Sequence, residues 1–261
     1  MTTVIHEAKR GVGLSDQIWR SGKIDKALAD FSGGALLRDD FLGIYTFTSG
    51  TPASGYACYE DAGAAVASDT DDPNGVVTLT TGTTDNDEAS LSSGIGFMEI
   101  ASSSPQYVAF EARVKLTVLA EAAIFVGLAD PTMVGANALV DATGAITDAD
   151  VVGFHIAAQA SSVTMDAIHR ISGTAVVTVQ SDVHTDLTSS LTADTYMTLG
   201  IKYEATDVTF YVDGELVGTV TDVTAATFPD GEQLAPVFAI KTGNTTSKVL
   251  SVDWFQALIT R

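Results

Sequence analysis

The stretch Val208–Val220, which reads VTFYVDGELVGTV, constrains the fold of this chain more than any other feature. Apolar and polar residues alternate on both sides of Asp213-Gly214, and alternation with a period of two predicts β-strands with one buried face. Asp-Gly is a preferred pair for a tight type I′ turn, since both central residues of that turn need positive φ. We therefore predict a β-hairpin.

The same alternation recurs along the chain from Asp40 onward. Tyr107–Leu119 alternates apolar and charged residues, which predicts a strand with Glu111 on a solvated face. Asp130–Asp150 is rich in Gly, Ala and Asp and is predicted to be a long loop. Many short strands without helical crossovers predict an all-β, antiparallel sandwich in residues 40–261. The other predicted strands are Phe41–Phe47, Val76–Thr80, Ala122–Ala129, Val151–Ala158, Val163–Arg170, Thr174–Gln180, Pro236–Lys241 and Val249–Leu258.

Residues 1–39 are predicted to form an N-terminal arm that is mostly extended, with Ser15–Phe31 as the place for a short helix. Residues 1–38 hold six of the 13 basic and four of the 33 acidic residues, so this segment carries +2 and the remainder −22. Such asymmetry indicates a segment with its own partner. Trp19 suits a protein–protein anchor, with packing onto its own domain as the alternative. The predicted partner-binding residues are Lys9, Arg10, Trp19, Arg20, Lys23 and Lys26.

The composition argues against several classes of function. A net charge of −20 disfavours nucleic-acid binding, which needs Lys and Arg for phosphate contacts, and it disfavours anionic membranes. No apolar run approaches the roughly 20 residues of a membrane span, and the N-terminus lacks an apolar signal region. We therefore expect synthesis in the cytoplasm without secretion. The single cysteine, Cys58, cannot form an intrachain disulfide and is expected to be buried.

Two acidic turns are weak candidates for calcium, because hard cations prefer several oxygen ligands. Their residues favour turns for conformational reasons alone, which is the stronger interpretation, and we expect no cofactor. His155 and His169 lie in adjacent predicted strands, where packing explains them better than a metal site does, since no His/Cys cluster has zinc-like spacing. The calcium candidates are Asp69, Asp71 and Asp72 in one turn and Asp85 and Asp87 in the other.

From Phe110 onward, the order of predicted strands resembles that of a concanavalin A-like (laminin-G-type) jelly-roll domain. The resemblance covers roughly residues 40–261 and implies a jelly-roll β-sandwich of two antiparallel sheets. It depends on strand order and on the Asp-Gly hairpin, so it carries fold more than function. The segments that carry it are FVGLAD (Phe125–Asp130), VGFHI (Val152–Ile156), YMTLGIKYEATDVTFYVDGELVGT (Tyr196–Thr219), LAPVFAIKTGN (Leu234–Asn244) and VLSVDWFQALITR (Val249–Arg261).

Enzymes of this fold hydrolyse glycans with carboxylates placed on one strand, as a Glu-x-Asp-x-(x)-Glu run. This sequence lacks such a run: Glu99 stands alone, Glu111 alternates with Arg113, and Asp253 has no acidic residue two to five positions away. Without these carboxylates, the sequence is expected to encode a protein of this fold that is not an enzyme. A glycan hydrolase is the least favoured alternative.

A jelly roll with a separate arm and no disulfide resembles virion structural proteins of tailed bacteriophages. This resemblance implies a capsid decoration (cement) protein, made in the host cytoplasm and located in the virion. Its arm would bind the major capsid protein or another virion subunit, and its copies would form a homo-oligomer such as a trimer. The alternative is a carbohydrate-binding adhesin domain of a tail fibre or spike, whose partner would be a host glycan.

Overall fold

The computed structural model describes residues 14–19, 33–42, 45–50, 55–69, 75–104, 106–157, 164–184 and 191–260. These residues form two antiparallel sheets that pack face to face, preceded by one short helix, α1 (Asp16–Trp19). The all-β jelly-roll sandwich predicted from the sequence is confirmed.

The first sheet has the strand order β14-β13-β12-β7-β16-β4-β3. Its centre is the long C-terminal strand β16, which pairs with β7 on one side. On its other side β16 pairs first with β4 and then with β1. The strands are β1 (Gly34–Asp39), β3 (Ala65–Asp69), β4 (Val76–Thr80), β7 (Val108–Leu116), β12 (Tyr196–Glu204), β13 (Asp207–Val212), β14 (Glu215–Val220) and β16 (Val249–Thr260).

The second sheet has the order β11-β10-β9-β8-β15-β5-β2, and β6 also pairs with β15. Residues 130–150, which we call the capping loop, join β8 to β9 and include a 3₁₀ turn at Pro131–Met133. The strands are β2 (Ala57–Glu60), β5 (Glu88–Ser92), β6 (Met98–Glu99), β8 (Ala122–Ala129), β9 (Val151–Ile156), β10 (Asp166–Arg170), β11 (Val177–Gln180) and β15 (Gln233–Thr242).

The core lies between the inner faces of the two sheets and is built from the apolar members of each alternating pattern. Phe238 of the second sheet contacts two rings of the first, with centroids 6.3 Å from Phe110 and 5.7 Å from Phe255. Phe154 and Phe210 make a second edge-to-face contact across the sandwich, with centroids 5.7 Å apart.

The predicted hairpin is present as β13 and β14, and both turn residues have positive φ, 49° at Asp213 and 78° at Gly214. The predictions for β4 and β8 match the structure at both ends, whereas β15 and β16 extend beyond their predicted bounds. Phe41–Phe47 is not a strand in its described residues. Phe41 has φ 51°, and its N–H donates to the Asp39 carboxylate at 2.8 Å, which turns the chain instead.

The structure corrects the C-terminal end of the predicted arm. Residues 34–39 form β1, which pairs with β16 in register from Gly34–Thr260 to Asp39–Phe255. Ala35 and Leu37 alternate toward the core and pack against it. The predicted helix between Ser15 and Phe31 is present at α1, and residues 20–32 lie outside the described residues.

Candidate functional surfaces

The capping loop covers the outer face of the second sheet. A second apolar cluster forms beneath it, in which Leu139 and Ile146 of the loop meet Phe125 and Val237 of the sheet. Leu139 and Ile146 also pair as an isolated β-bridge, so the loop is itself a small hairpin. Both faces of this sheet are therefore buried around β8 and β15, which explains why β8 is buried at every position.

A buried ion pair anchors the capping loop to the sheet. The Nζ of Lys241 lies 3.1 Å from a Glu88 carboxylate oxygen and 2.6 Å from Asp141 of the loop, and Glu88 is wholly buried. The Glu88 carboxylate also accepts the backbone N–H of Ala138 and Leu139 at 3.0 and 3.3 Å. Burial raises the pKa of Glu88 to about 7, against the lowering effect of Lys241. Removing the Lys241 charge would leave the Glu88 carboxylate buried without its ion-pair partner, which costs about 3–5 kcal/mol, whereas Lys241 without Glu88 would keep Asp141 as a partner.

Two further side chains hold the capping loop from the other end of the sheet. The Nε2 of His155 on β9 lies 2.7 Å from the Gly144 carbonyl, and only the N–H form can make that bond to a carbonyl. Arg170 on β10 donates to the carbonyls of Ile146 and Thr147 at 3.2 and 2.9 Å and to Asp148 at 2.8 Å. The loop is thus fixed along its length by charged and polar groups of the sheet.

Among the calcium candidates that the structure describes, Asp87 serves a turn. Asp87 accepts the N–H of Thr84 at 2.9 Å, and Asn86 has φ 70° and accepts the N–H of Ala142 at 2.9 Å. Asp85 and Asp69 are exposed, and Asp71 and Asp72 lie outside the described residues. Within the described residues, no three His, Cys, Asp or Glu side chains are grouped so that they could hold a metal ion.

His155 and His169 lie on opposite faces of the second sheet. His155 pairs with Asp166 on the outer face of the second sheet, whereas His169 pairs with Val152 and contacts the ring of Phe228. Burial lowers the pKa of both imidazoles. Their separation favours the packing interpretation over a shared metal.

Two of the carboxylates weighed for glycan hydrolysis, Asp253 and Glu111, make structural contacts. Asp253 forms an ion pair with Arg113 on the first sheet, and Glu111 is engaged by α1. Both side chains are therefore committed to structural contacts.

The outer face of the first sheet carries α1, and the prediction of a solvated Glu111 is wrong. Glu111 is 1% exposed because α1 lies over it. Its carboxylate accepts the N–H of Ser15 at 3.0 Å and the Nε1–H of Trp19 at 2.7 Å, and the Ser15 hydroxyl also donates to it. Burial raises the pKa of Glu111, and these hydrogen bonds oppose that rise.

Ile18 is the apolar centre of this contact and is wholly buried. Its side chain lies over Gly200 of β12, where a Cβ would come within 2.2 Å of the Ile18 Cδ1. The Tyr107 hydroxyl donates to the Ile18 carbonyl, and Lys202 donates to the Gln17 carbonyl at 3.3 Å. We call the receiving residues the α1 socket: Tyr107, Ala109, Glu111, Gly200, Lys202, Tyr211 and Leu258.

For Trp19, the structure shows the alternative that the sequence left open: this side chain packs onto its own domain. The five basic residues predicted to bind a partner lie outside the described residues, so their role stays a prediction. They are Lys9, Arg10, Arg20, Lys23 and Lys26.

A second group of side chains lies beside the α1 socket on the same face. The Arg113 guanidinium lies 4.1 Å and the Lys115 ammonium 5.1 Å from the centre of the Tyr196 ring. Trp254 is half-buried and pairs with Arg113 across β16 and β7. Aromatic rings beside charged groups are the kind of surface that binds sugars or proteins.

Cys58 is buried, as predicted, and burial raises the pKa of its thiol to about 11. In the part of the chain that the structure describes, no helix is long and apolar enough to cross a membrane.

Comparison with solved structures shows the fold. A protein of unknown function from Shewanella oneidensis MR-1 is 16% identical with a TM-score of 0.51, and the match covers 95% of both chains. A Bacteroides ovatus mixed-linkage glucan hydrolase of glycoside hydrolase family 16 is 14% identical with a TM-score of 0.55, over 85% of this chain and 99% of that one.

Peanut lectin is 13% identical with a TM-score of 0.53, over 87% of this chain and 97% of the lectin. No family model and no curated protein matches the sequence. At these identities the matches carry architecture and not activity. The chain is a concanavalin A-like jelly-roll sandwich, the fold that lectins and family 16 glycoside hydrolases share with it.

Proposed function

We propose that this chain is a non-enzymatic structural protein of a virus particle, a decoration (cement) protein on the capsid of a tailed bacteriophage. It binds the major capsid protein or another virion subunit through its N-terminal segment. The observation that supports this most is α1, whose residues Ile18 and Trp19 lie on the outer face of the sandwich. The predicted binding residues lie in the sequence on both sides of this anchor, for example Arg10 and Arg20.

Charge and surface coverage agree with the proposal. Bodies formed by residues 34–261 carry −21, repel one another and stay in solution, while residues 1–33 carry +1 and suit an acidic or apolar groove on a partner. The capping loop fills the outer face of the second sheet, which leaves its centre closed to a polysaccharide chain. A displayed, inert sandwich fits these features better than an enzyme does.

Immunogold electron microscopy tests the proposal on particles purified from the source culture with antibodies against the recombinant chain. We expect gold on the heads, and mass spectrometry should find the chain in the purified particles.

In a rebinding assay, Lys23→Glu with Lys26→Glu should abolish attachment to particles stripped of the chain. The control variant, Arg38→Glu with Lys115→Glu, changes the net charge equally and should still attach. Particles that never contain the chain would contradict the proposal.

Carbohydrate binding is the second candidate, and the group around Tyr196 and Trp254 is the observation that favours it. In this alternative, the chain is an adhesin domain that binds a host glycan. A glycan array tests it, with Trp254→Ala as the variant that should lose binding and Tyr59→Ala, on the other sheet, as the control. A reducing-sugar assay on any bound glycan would detect hydrolysis.

A further inference from the structure

The α1 socket is a built receptor for a short peptide. Removing residues 14–19 would expose Tyr107, Ala109 and Leu258 and would leave the Glu111 carboxylate without the three donors that now satisfy it. Gly200 opens a space that the Ile18 side chain fills, since a Cβ at this position would collide with it. The socket therefore selects this segment by both shape and hydrogen bonding.

The connection between α1 and the sheet is longer than the contact needs. Tyr107 links its two ends: its hydroxyl meets Ile18, and its N–H donates at 2.8 Å to Thr260, which pairs with Gly34. The 14 residues from 20 to 33 can span up to about 46 Å when extended. That length is also enough to reach the socket of a neighbouring molecule.

A second copy of this chain is the other source of the segment, because it carries the same residues 14–19 and the same socket. Residues 1–33 carry +1 and the remaining body of each chain carries −21, so the attraction between segment and body is the same within and between copies. The contacts are also identical in both arrangements, which is the condition under which exchange of an element between protomers costs little.

We propose that the α1 socket binds residues 14–19 of a second copy of this chain when copies are held close together, so that neighbours exchange these segments. A connection of this length gives the segment an effective concentration of about 1 mM at its own socket. Dilute chains therefore keep their own segment, and crowded chains, as on a particle surface, exchange. The proposal deepens the decoration role, but it concerns the chain itself and does not depend on where the chain resides.

A disulfide reports directly on which copy supplies the segment. A Cβ at Gly214 would lie 3.7 Å from the Cβ of Ser15, close to the separation of about 3.8 Å in natural disulfides. Ser15→Cys and Gly214→Cys are placed in separate chains of different size, which are mixed, oxidised and separated without reductant. A heterodimer yield above that of random collisions then requires the segment of one chain on the body of the other. The native Cys58 is buried and does not compete.

At about 1 mM chain we expect a heterodimer yield about tenfold or more above that of a control pair, because the docked contact concentrates the two thiols. The control combines Ser15→Cys with Thr206→Cys, which lies in an exposed turn between β12 and β13. The double variant Ser15→Cys/Gly214→Cys should close an intrachain disulfide in dilute solution. No heterodimer above the control at any concentration would overturn the proposal, whether or not the intrachain disulfide forms.

A complementation assay guards against strain at Gly214, whose φ is +78°. Gly200→Val blocks the socket and keeps the segment, whereas Ile18→Asp spoils the segment and keeps the socket. Light scattering should find each variant monomeric alone and a 1:1 dimer in the mixture. A mixture that stays monomeric at about 1 mM would refute exchange. Particle labelling is decided separately, so failure of one proposal is distinguishable from failure of the other.

Discussion

At the residue scale, the contact between Ile18 and Gly200 decides whether α1 stays on the sheet. Glycine inside a strand costs about 0.5–1 kcal/mol relative to alanine, so its presence in β12 needs a compensating contact. Ile18 supplies that contact by occupying the space that a side chain at position 200 would take.

We predict that Gly200→Ala has opposite effects in two backgrounds. In the native chain the new methyl group displaces Ile18 and lowers the free energy of unfolding. In an Ile18→Ala background the collision is gone, and the same change raises it by about 0.5–1 kcal/mol. Urea unfolding of the four proteins in this double-mutant cycle gives the coupling free energy between positions 18 and 200, which we expect to be about 0.5–3 kcal/mol. Effects of equal sign in both backgrounds would show that Ile18 does not occupy this space.

The same contact shows why the sequence misassigned Glu111. Alternation separates an inner from an outer face of β7, but it does not reveal that a distant segment covers the outer one. Two local features of the sequence agree with the position of α1 over β7. Gly200 lies within a strand pattern, and Ile18 stands beside Trp19 outside the sandwich. Neither signal identifies its partner, because Ser15 and Glu111 are 96 positions apart.

At the scale of elements, the second sheet and its capping loop behave as one unit. Local pattern was enough to predict β4, β8 and the β13–β14 hairpin, whose strands pair with near neighbours in sequence or are strongly apolar. It was not enough for β5, which reads EASLS and is buried at every position. At Glu88 that burial comes from the capping loop, a long-range contact that composition does not encode, whereas Ala89 and Leu91 face the core between the sheets.

The capping loop makes the stability of this unit depend on pH through His155. Burial lowers the folded-state pKa of His155, so the protein binds this proton less readily than the unfolded chain does. The stability that neutral His155 provides is complete above the unfolded pKa of about 6.5 and is lost as the pH falls through the folded value. Glu88 acts in the opposite direction: its pKa is raised to about 7, so its contribution is lost as the pH rises through that value.

We predict that His155→Gln removes the loss of stability at low pH that His155 causes. The loss at higher pH that Glu88 causes should remain. The difference in unfolding free energy between the native chain and the variant should shrink below pH 6.5, by at most about 1.4 kcal/mol per pH unit. Denaturant titrations between pH 5 and 8 measure it. Using the difference cancels the other groups nearby, including Asp166 across the strand pair. A difference that does not change with pH would mean that His155 is not buried in the neutral form.

At the scale of the whole molecule, charge sets how copies of the chain meet. Each body, residues 34–261, carries −21 and each N-terminal segment, residues 1–33, carries +1, so isolated molecules repel one another strongly at low ionic strength. The attraction of a segment for the body that it docks on is present in both the closed and the exchanged arrangement. Only the repulsion between bodies is added when segments are exchanged.

Added salt should therefore increase the exchange of segments between copies. This direction is the opposite of the usual one, because salt weakens most contacts between a basic segment and an acidic surface. Raising NaCl from about 0.02 M to about 0.5 M shortens the screening length from roughly 20 Å to a few ångströms and removes most of the repulsion between bodies. We predict that the disulfide-linked heterodimer of the Ser15→Cys and Gly214→Cys chains becomes more abundant over this range.

The Ser15→Cys and Thr206→Cys pair reports how salt changes random collisions. A heterodimer yield that falls with salt, after this correction, would mean that charge attraction and not the Ile18 contact joins the copies, because an apolar contact is not weakened by screening.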